Sequence, residues 1–425
     1  MKYKAPRGTR DFLPEATSGF QHLQRVAQDL FERYGYKLII TPTFEQTELF
    51  IRGIGEATDI VQKEMYTFKD RRGRSLTLRP EGTAPVVRAY LEHNLGKFDQ
   101  LVKLYYSCAM YRYERPQAGR YREFWQIGVE ALGSLDPTLD AEIIYLSHDY
   151  LKRVGVGRLD ILLNSMGCRK CRPAFTAHLK NYLALETEKF CSDCQRRLKI
   201  NPLRVFDCQN ESCQIILEKA PVVTDYLCGD CEQHFKAVQK HLQTINLKYM
   251  FSPKLVRGFD YYTKTTFEIQ SPHLGAQNAL GGGGRYDYLV EEYGGPPTPA
   301  IGFALGVERI IMALKNEGSV PAGNLRPLLF LILLGDEAKG VGIKLLFSLR
   351  DAGIAVETTY DQKSLKAQLR TADKLKASYA GIIGSQELKE NFLTLKDMRS
   401  GEQLKMPFKE APQWLKERAN DEKIY

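Results

Sequence analysis

The chain has 425 residues, an apolar fraction of 43% and a formal charge of +9, which together favour a globular protein of two or three domains. No apolar run is long enough to span a bilayer, and residues 1–14 are polar and rich in turn formers, so we expect a cytoplasmic protein with no membrane partner. The mild positive charge permits an acidic partner such as RNA but does not identify one.

The N-terminal part alternates helical and strand patterns. Thr17 or Ser18 could cap a helix that runs to Tyr34, and residues 36–41 follow as a strand. Residues 65–79 then predict a short hairpin with a turn at its centre.

The segment after this hairpin opens a helical run and admits two interpretations. Glu81 and Thr83 flank Gly82, where the backbone can come close to a ligand, and a carboxylate beside a hydroxyl could hold an ammonium group. The alternative is ordinary capping of the helix start by the same two side chains, and the residues alone favour that alternative.

Residues 101–133 carry two strand patterns joined by a basic loop. Residues 101–114 are rich in Leu, Val and Tyr, and residues 121–132 alternate between two faces. The alternation places Ile127 and Val129 on a face that we expect in the core. The opposite face carries Phe124, Gln126, Gly128 and Glu130. A polar face with a glycine at its centre leaves room for a small polar ligand.

The loop between these strands adds positive charge. Arg115 and Arg120 enclose a Pro and a Gly, and such a loop can close over an anion, while Arg112 and Glu114 share a face of the first strand. An ordinary antiparallel pair with surface charges is the alternative. The polar face of the second strand favours a ligand site.

A predicted helix to residue 152 and a strand over residues 159–163 precede a cysteine-rich segment. Its eight cysteines form the pairs Cys168/Cys171, Cys191/Cys194, Cys208/Cys213 and Cys228/Cys231. In a cytosolic chain this pattern favours metal over disulfides, and two C-x-x-C pairs suffice for one structural Zn²⁺. Four pairs could therefore make two sites. The alternative is a set of reduced, partly buried cysteines in a helical insert.

Two further segments combine polar and glycine residues. Residues 255–263 start a predicted strand that continues to residue 269, and they include Arg257, Tyr261 and Tyr262. A structural interpretation pairs Arg257 with Asp260 and buries the tyrosines.

The second of these segments is the glycine run at residues 281–284, followed by Arg285 and Tyr286. It matches neither a P-loop nor a dinucleotide fingerprint. Further on, Arg309 sits early in a predicted helix among apolar residues, where it requires an anion or other acceptors.

The C-terminal part begins after a predicted linker at residues 319–326. Strands are predicted at residues 328–334, 355–360, 379–383 and 391–398. Helices are predicted between the first three of them, at residues 338–352 and 364–378. This alternation predicts a mainly parallel sheet covered by helices.

The segment YRYERPQAGRYREFWQIGVE at residues 111–130 resembles motif 2 of the class II aminoacyl-tRNA synthetases, and specifically of the histidyl-tRNA synthetases. Residues 255–263 and 280–287 are similar to the two signature peptides of that family. The helix and strand before Pro42 resemble motif 1, and residues 300–314 resemble motif 3.

The resemblance implies an α+β catalytic domain with an antiparallel sheet over residues 1–167 and 248–318, interrupted by a small helical Cys-rich insert over 168–247. After the linker it implies a C-terminal α/β anticodon-binding domain over residues 327–425, the part with the predicted parallel sheet.

The implied activity is that of a histidine–tRNA ligase, a homodimer that activates L-histidine with ATP and Mg²⁺ and transfers it to tRNA(His). The implied catalytic residues are Arg112, Gln126 and Arg257. The implied histidine-binding residues are Glu81, Thr83, Arg112, Gln126, Glu130, Arg257, Tyr261, Tyr262 and Tyr286. The implied ATP-binding residues are Arg112, Glu114, Arg120, Phe124, Arg257 and Arg309.

Two other functions are weighed against this one. A histidine-binding regulatory paralogue that activates ATP phosphoribosyltransferase usually lacks the C-terminal domain and parts of motif 2, whereas this chain keeps both. An inactive RNA- or zinc-binding module explains the cysteines but leaves Arg112, Gln126, Glu130 and Arg257 unexplained.

Overall fold

The computed structural model describes residues 3–56, 58–115, 119–208, 210–275, 277–319, 326–361 and 363–422. The chain divides into two compact units, Met1–Ala322 and Gly323–Tyr425. The predicted linker at residues 319–326 lies almost entirely outside the described residues. Among the described residues, no helix combines the length and the apolar character needed to cross a membrane.

The first unit mixes strands and helices along its whole length. Its strands are β1 (Lys37–Leu38), β2 (Phe44–Gln46), β3 (Tyr66–Lys69), β4 (Ser75–Leu78), β5 (Val102–Tyr111), β6 (Glu123–Leu132), β7 (Asp160–Ser165), β8 (Met250–Phe251), β9 (Thr263–Gln270), β10 (Ala279–Arg285) and β11 (Ala300–Gly306). Its helices are α1 (Pro14–Arg33), α2 (Thr47–Ile54), α3 (Thr83–Glu92), α4 (Pro137–Arg153), α5 (Arg172–Ala184), α6 (Ser192–Ile200), α7 (Glu211–Leu217), α8 (Gly229–Thr244), α9 (Leu289–Glu292) and α10 (Val307–Asn316).

An eight-stranded sheet organises this unit, with the strand order β1-β5-β6-β11-β10-β9-β7-β8. Its central pairings are antiparallel, and only the two outermost pairings are parallel. The predicted hairpin is present as β3 and β4, which join β2 in a separate three-stranded sheet. The antiparallel sheet predicted for the catalytic domain is therefore confirmed.

The two faces of the large sheet bury different side chains. Ile127 and Val129 of β6 are fully buried in the main core with apolar residues of α1, α4, α8 and α10, which confirms their prediction as core residues. The other face packs Tyr106 and Tyr286 with residues of α3. Alternation along β6 thus separates an apolar core from a face rich in hydroxyl groups.

A buried charged network joins three elements behind the sheet. Arg285 of β10 is fully buried, and its Nε donates to Asp140 Oδ1 of α4 at 2.8 Å. His234 Nε2 of α8 lies 2.8 Å from Asp140 Oδ2. Burial alone would raise the pKa of Asp140, but the Arg285 and His234 charges bring it below its ordinary value.

The cysteine-rich insert has a small core of its own. Phe175, Leu179 and Val205 belong to it, together with Cys194 and Cys213. Helix α8 differs, because its apolar residues pack into the main core beside α4. The last helix of the predicted insert therefore anchors the insert to the catalytic sheet.

Several local boundaries differ from the predictions. Strand β5 ends at Tyr111 and not at residue 114, so Arg112 and Glu114 lie in the loop that follows it. Helix α1 begins at Pro14, not at Thr17 or Ser18, because proline is well suited to the first helical turn. The strand predicted from residue 255 begins only at Thr263. The glycine run is strand β10, where close approach of neighbouring backbone leaves no space for a side chain at Gly283.

The second unit is an α/β structure with a five-stranded sheet. Its strands are β12 (Leu329–Leu333), β13 (Val356–Thr358), β14 (Tyr379–Ile383), β15 (Phe392–Asp397) and β16 (Gln403–Pro407), and its helices are α11 (Asp336–Asp351), α12 (Leu365–Lys374), α13 (Ser385–Glu390) and α14 (Ala411–Glu422). The order is β13-β12-β14-β15-β16.

The sheet of the second unit is mixed. Strands β13, β12 and β14 are parallel as predicted, whereas β15 and β16 pair antiparallel. The connection from β14 to β15 contains only the short helix α13, and a parallel crossover needs a longer connection.

Candidate active site

A cavity of about 940 Å³ lies on the polar face of the large sheet. Every residue predicted to bind histidine or ATP lines it: Glu81, Thr83, Arg112, Glu114, Arg120, Phe124, Gln126, Glu130, Arg257, Tyr261, Tyr262, Tyr286 and Arg309. These residues come from the loop after β5, from β6, from the start of α3, from the irregular segment before β9, from the residue after β10 and from α10. The fold brings together side chains that are far apart in the sequence.

Glu130 is the most buried acid of the cavity. Its Oε1 accepts hydrogen bonds from the hydroxyls of Thr83 at 2.7 Å and Tyr106 at 3.3 Å, and its Oε2 accepts one from Tyr286 at 2.5 Å. Burial raises the pKa of Glu130 to about 8, although the three hydroxyl donors oppose the rise. A carboxylate has about four acceptor positions, so one position remains for a ligand.

Gly302 provides the space beside this carboxylate. It pairs directly with Glu130 across β11 and β6, and a side chain at this position would overlap Glu130 Oε2. Position 302 must therefore be a glycine for the Glu130 side chain to keep its place in the cavity. The sequence of β11 carries a signal for this role, because Gly302 alternates with apolar residues.

Glu81 and Thr83 divide the two predicted roles between them. Glu81 accepts hydrogen bonds from the backbone N–H groups of Thr83 at 2.6 Å and Ala84 at 2.8 Å, so it caps the start of α3. Thr83 instead donates its hydroxyl to Glu130. Burial raises the pKa of Glu81, and both side chains line the cavity. The capping alternative and the ligand interpretation are structurally compatible.

An aromatic wall closes one part of the cavity. Tyr261 stacks on Phe259 at 5.1 Å between ring centroids and contacts Tyr262 at 4.8 Å and Tyr286 at 5.7 Å. Burial raises the pKa of Tyr261 and Tyr262, so both hydroxyls stay neutral hydrogen-bonding groups at physiological pH. This wall can enclose a flat ring.

Two arginines from segments far apart in the sequence line the cavity. The Nε of Arg112 donates to the Pro80 carbonyl at 2.9 Å, and its guanidinium carbon lies 5.2 Å from the Phe124 ring centroid. Arg257 pairs with Glu268 at 2.5 Å and not with Asp260, which corrects the structural interpretation of that segment. Asp260 instead accepts a hydrogen bond from Arg204 of the insert.

Two buried polar atoms of the cavity have no partner among the described residues. They are Oε1 of Gln126 and Nε of Arg257. An unpaired buried donor or acceptor costs free energy comparable to a lost hydrogen bond. A ligand with its own polar groups would satisfy both atoms, one an acceptor and the other a donor.

The predicted triphosphate end of the cavity is also charged. The guanidinium of Arg309 donates to the backbone carbonyls of Ala279 and Gln277, which supply the acceptors that its burial requires. Burial lowers the pKa of Arg309. Arg120 lies 3.5 Å from Glu114, so a cation and a carboxylate of the loop after β5 meet at the cavity.

Sequence reasoning missed Glu268 as a cavity residue. It lines the cavity from β9 and accepts hydrogen bonds from Arg257 and from Gln270, whose Nε2 donates at 2.8 Å. The available signal was polar alternation in a strand that is otherwise apolar, since Phe267 and Ile269 face the core.

The eight paired cysteines form two groups that could each hold a metal ion. Within each group the sulfur atoms lie within 4.8 Å of one another. One group is Cys168, Cys171, Cys228 and Cys231, and the other is Cys191, Cys194, Cys208 and Cys213. Four thiols at this distance have the number and type of ligand of a structural zinc site.

The first unit has the features of a class II aminoacyl-tRNA synthetase: a large, mainly antiparallel sheet and, on its polar face, a cavity lined by arginines and other polar side chains. The family model described as histidyl-tRNA synthetase matches residues 8–171 and 203–310. The model described as anticodon binding domain matches residues 329–418.

Known relatives agree along nearly the whole chain. The histidine–tRNA ligase of Halothermothrix orenii is 50% identical and covers 96% of this chain and 97% of its own length. That of Natranaerobius thermophilus is 48% identical and covers 98% and 99%. The solved apo histidyl-tRNA synthetase of S. aureus superposes with a TM-score of 0.83 at 38% identity, covering 97% of this chain and 100% of its own. The chain belongs to the histidyl-tRNA synthetase family.

Proposed function

We propose that the protein is a histidine–tRNA ligase. The observation that carries the proposal is the meeting of Arg112, Gln126, Glu130 and Arg257 in one cavity. The histidine carboxylate attacks the α-phosphorus of ATP, the bond from that phosphorus to the bridging oxygen breaks, and pyrophosphate leaves. The terminal ribose hydroxyl of tRNA then attacks the adenylate carbonyl and releases AMP.

The residues of this cavity act by orientation and charge stabilisation. Arg112 and Arg257 hold the α-phosphate, because the planar guanidinium fork binds two phosphate oxygens at once. Arg309 lies at the far end of ATP, and Phe124 stacks on adenine beside Arg112. Neither step requires a side-chain nucleophile, so preorganised positive charge supplies the catalysis.

Glu130 and Tyr262 recognise the imidazole of histidine. The Glu130 carboxylate accepts the ring N–H, while three hydroxyl donors fix its orientation. Glu81, Thr83 and Gln126 hold the α-amino end. A pocket built to pair with a polar ring rejects analogues that leave its groups unpaired.

Mg²⁺ accompanies ATP in the proposal. When bound, it neutralises charge on the triphosphate, and the ion needs only one or two carboxylates besides phosphate and water. Glu114 and Glu268 fit this need, because each lines the cavity and contacts an arginine that we assign to the α-phosphate. A structural Zn²⁺ in the insert is proposed separately, from the cysteine groups alone.

The second unit selects tRNA(His) in this proposal. Its support is the match of residues 329–418 to an anticodon binding domain. The acceptor end of the same tRNA must enter the cavity of the first unit for the transfer step.

A homodimer is proposed from the exposed apolar surface near β1. Ile40 is 84% exposed and Phe98 is 81% exposed. An ion pair of 3.9 Å between Lys37 and Asp99 links their two segments. Apolar surface of this kind is typical of a subunit interface.

Sedimentation tests the dimer. The unmodified protein should sediment as a dimer and Ile40→Asp as a monomer. Ile215→Asp is the matched control, because Ile215 is similarly exposed but lies in the insert. An unmodified protein that stays monomeric at micromolar concentration contradicts the dimer.

Pyrophosphate exchange tests the activity itself. The purified chain should exchange labelled pyrophosphate into ATP with histidine and not with glutamine or tyrosine. It should then charge tRNA(His). A protein that binds histidine but supports no exchange has the behaviour of the regulatory paralogue, and that result overturns the proposal.

A further inference from the structure

We propose that the eight cysteines bind two Zn²⁺ ions in two nested sites, and that the inner ion holds the insert against the segment that carries Arg257. The outer group pairs the first C-x-x-C with the last, Cys168 and Cys171 with Cys228 and Cys231. The inner group joins the two middle pairs, Cys191 and Cys194 with Cys208 and Cys213. Sequence spacing alone left this pairing open.

Sulfur distances match a single tetrahedral ion in each group. The Cys168 and Cys171 sulfurs are 3.6 Å apart, and those of Cys168 and Cys228 are 3.8 Å apart. In the inner group, Cys191 and Cys208 are also 3.8 Å apart. Four sulfurs around one zinc at about 2.3 Å form a tetrahedron with edges of about 3.8 Å.

The two groups have the same local backbone structure, which favours the same kind of ligand for both. In each group one pair lies at a helix start: Cys228 and Cys191 are the residues before α8 and α6, and Cys231 and Cys194 lie in the first turns. A helix N-terminus stabilises a thiolate. The other pair of each group also lies beside a helix start, because Cys171 directly precedes α5 and Cys213 lies in the first turn of α7.

Backbone N–H groups point at equivalent sulfurs in the two sites. The N–H of Lys170 donates to Cys168 at 3.4 Å, and the N–H of Asn210 donates to Cys208 at 3.4 Å. Each donor lies two residues after its cysteine. Such hydrogen bonds favour the charged thiolate and are the outer-shell support that metal ligands require.

A second set of backbone donors completes the correspondence. The N–H of Cys228 donates to Cys171 at 3.2 Å, and the N–H of Cys191 donates to Cys213 at 3.3 Å. Each of these bonds joins the two pairs of one group. Two independent sets of reduced cysteines would have no reason to repeat the same arrangement.

The inner site determines the position of three polar residues that reach the cavity. Between Cys194 and Cys208, the Nδ2 of Asn201 donates to Asp260 at 3.0 Å. Arg204 donates to Asp260 at 2.8 Å and to the backbone carbonyl of Arg257 at 2.7 Å.

Arg197, in the same stretch, donates to Asp59 at 3.1 Å. The chain between the inner cysteines is therefore hydrogen-bonded to two segments of the catalytic domain, one before β9 and one before β3. The segment before β9 carries Arg257, and we therefore assign Arg204 as a residue that positions Arg257. This step rests on the proposed function, whereas the two zinc sites do not.

Metal content tests the sites without reference to activity. Native mass spectrometry and elemental analysis of the full chain, purified without chelator, should give about two zinc ions per chain. Cys171→Ser and Cys194→Ser should each remove about one ion. Cys108→Ser, a change in β5, is the control and should keep both.

Several results would overturn the two sites. They are less than about half an equivalent of zinc with all eight thiols reactive, iron in place of zinc, or a single ion in the unmodified chain that either substitution removes. The unmodified chain gives the count even where a cysteine variant does not fold.

A double-variant cycle tests the coupling to the cavity. Arg204→Gln should keep both zinc ions and lower the maximal rate of pyrophosphate exchange about tenfold, and Arg204→Lys should restore part of it. Arg169→Gln, beside the outer site, should leave the rate unchanged.

The combination of Arg204→Gln with Cys194→Ser tests whether the inner zinc affects the exchange rate through Arg204. If the inner zinc acts through Arg204, the double variant should be no slower than the slower single variant. Losses that multiply contradict the coupling. An unmodified protein that binds two zinc ions but supports no pyrophosphate exchange would refute the proposed function and would still support the zinc sites.

Discussion

Replacement of Glu130 by glutamine isolates the charge of the acid that we assign to imidazole recognition. Glutamine has nearly the same shape, but one acceptor oxygen becomes an NH₂ donor. That donor faces either the Tyr286 hydroxyl or the hydroxyls of Thr83 and Tyr106, all of which now donate to Glu130. The network must therefore reorient, and the charged acceptor for the ring N–H is lost.

The size of the effect follows from the hydrogen bond removed. A hydrogen bond to a charged group contributes about 2 kcal/mol, which corresponds to about a 30-fold fall in kcat/KM for histidine in pyrophosphate exchange at about pH 9, where Glu130 is ionised. The KM for ATP should change little, because Glu130 does not contact the arginines assigned to phosphate. Glu123→Gln in the same strand is the control, since Glu123 lies outside the cavity lining.

The raised pKa of Glu130 adds a pH dependence. With a pKa of about 8, the group is mostly protonated at neutral pH, so kcat/KM for histidine should rise about tenfold between about pH 7 and 9. Glu130→Gln should lack this rise. A flat profile in the unmodified protein, or an unchanged profile in the variant, would refute the assignment.

The same pKa carries a prediction for stability. The pKa of Glu130 in the folded state lies above the ordinary value of 4.5 that the group has in the unfolded chain, so protonation favours folding. This contribution is complete below the ordinary pKa of the unfolded chain and is lost as the pH rises through the folded-state pKa of about 8. Glu130→Gln should flatten that part of the stability profile measured by thermal unfolding.

Three further predictions test other parts of the structure. Arg257→Lys loses the planar fork and should slow exchange about a hundredfold with little change in the KM for histidine; a loss confined to the KM for histidine would contradict phosphate binding. Asp140→Asn removes the closer of the two carboxylates that pair with buried Arg285, leaves only Asp287, and should lower the free energy of unfolding in urea by about 3–5 kcal/mol, whereas the exposed control Glu48→Gln should cost less than about 0.5 kcal/mol. A chain ended at Ala322 should keep measurable exchange and lose most tRNA charging, and equal losses in a surviving dimer would contradict separate roles for the two units.

The candidate site was largely predictable because its residues lie in segments with strong local patterns. Alternation in β6 fixed which side chains face the core and which face the cavity, since successive strand residues point to opposite sides. The resemblance to motif 2 and to the two signature peptides then named the positions that line the same cavity. The segments themselves contain this information.

Contacts between distant segments were not predictable. Arg257 pairs with Glu268 and Asp260 with Arg204, although Arg257 and Asp260 are close in sequence. The mixed sheet of the second unit likewise depends on a connection too short for a crossover. Sequence proximity does not determine which charges meet, because partners are selected by the register of strands and the packing of helices.

The sequence by itself determined the alternating faces, the family motifs and the presence of four cysteine pairs. Only the tertiary structure decided that the first pair meets the last and that the middle pairs meet each other. It also decided that Arg285, next to a signature tyrosine, is buried against Asp140 behind the sheet. Periodicity and spacing act over a few residues, whereas these pairings depend on where a folded chain returns in space.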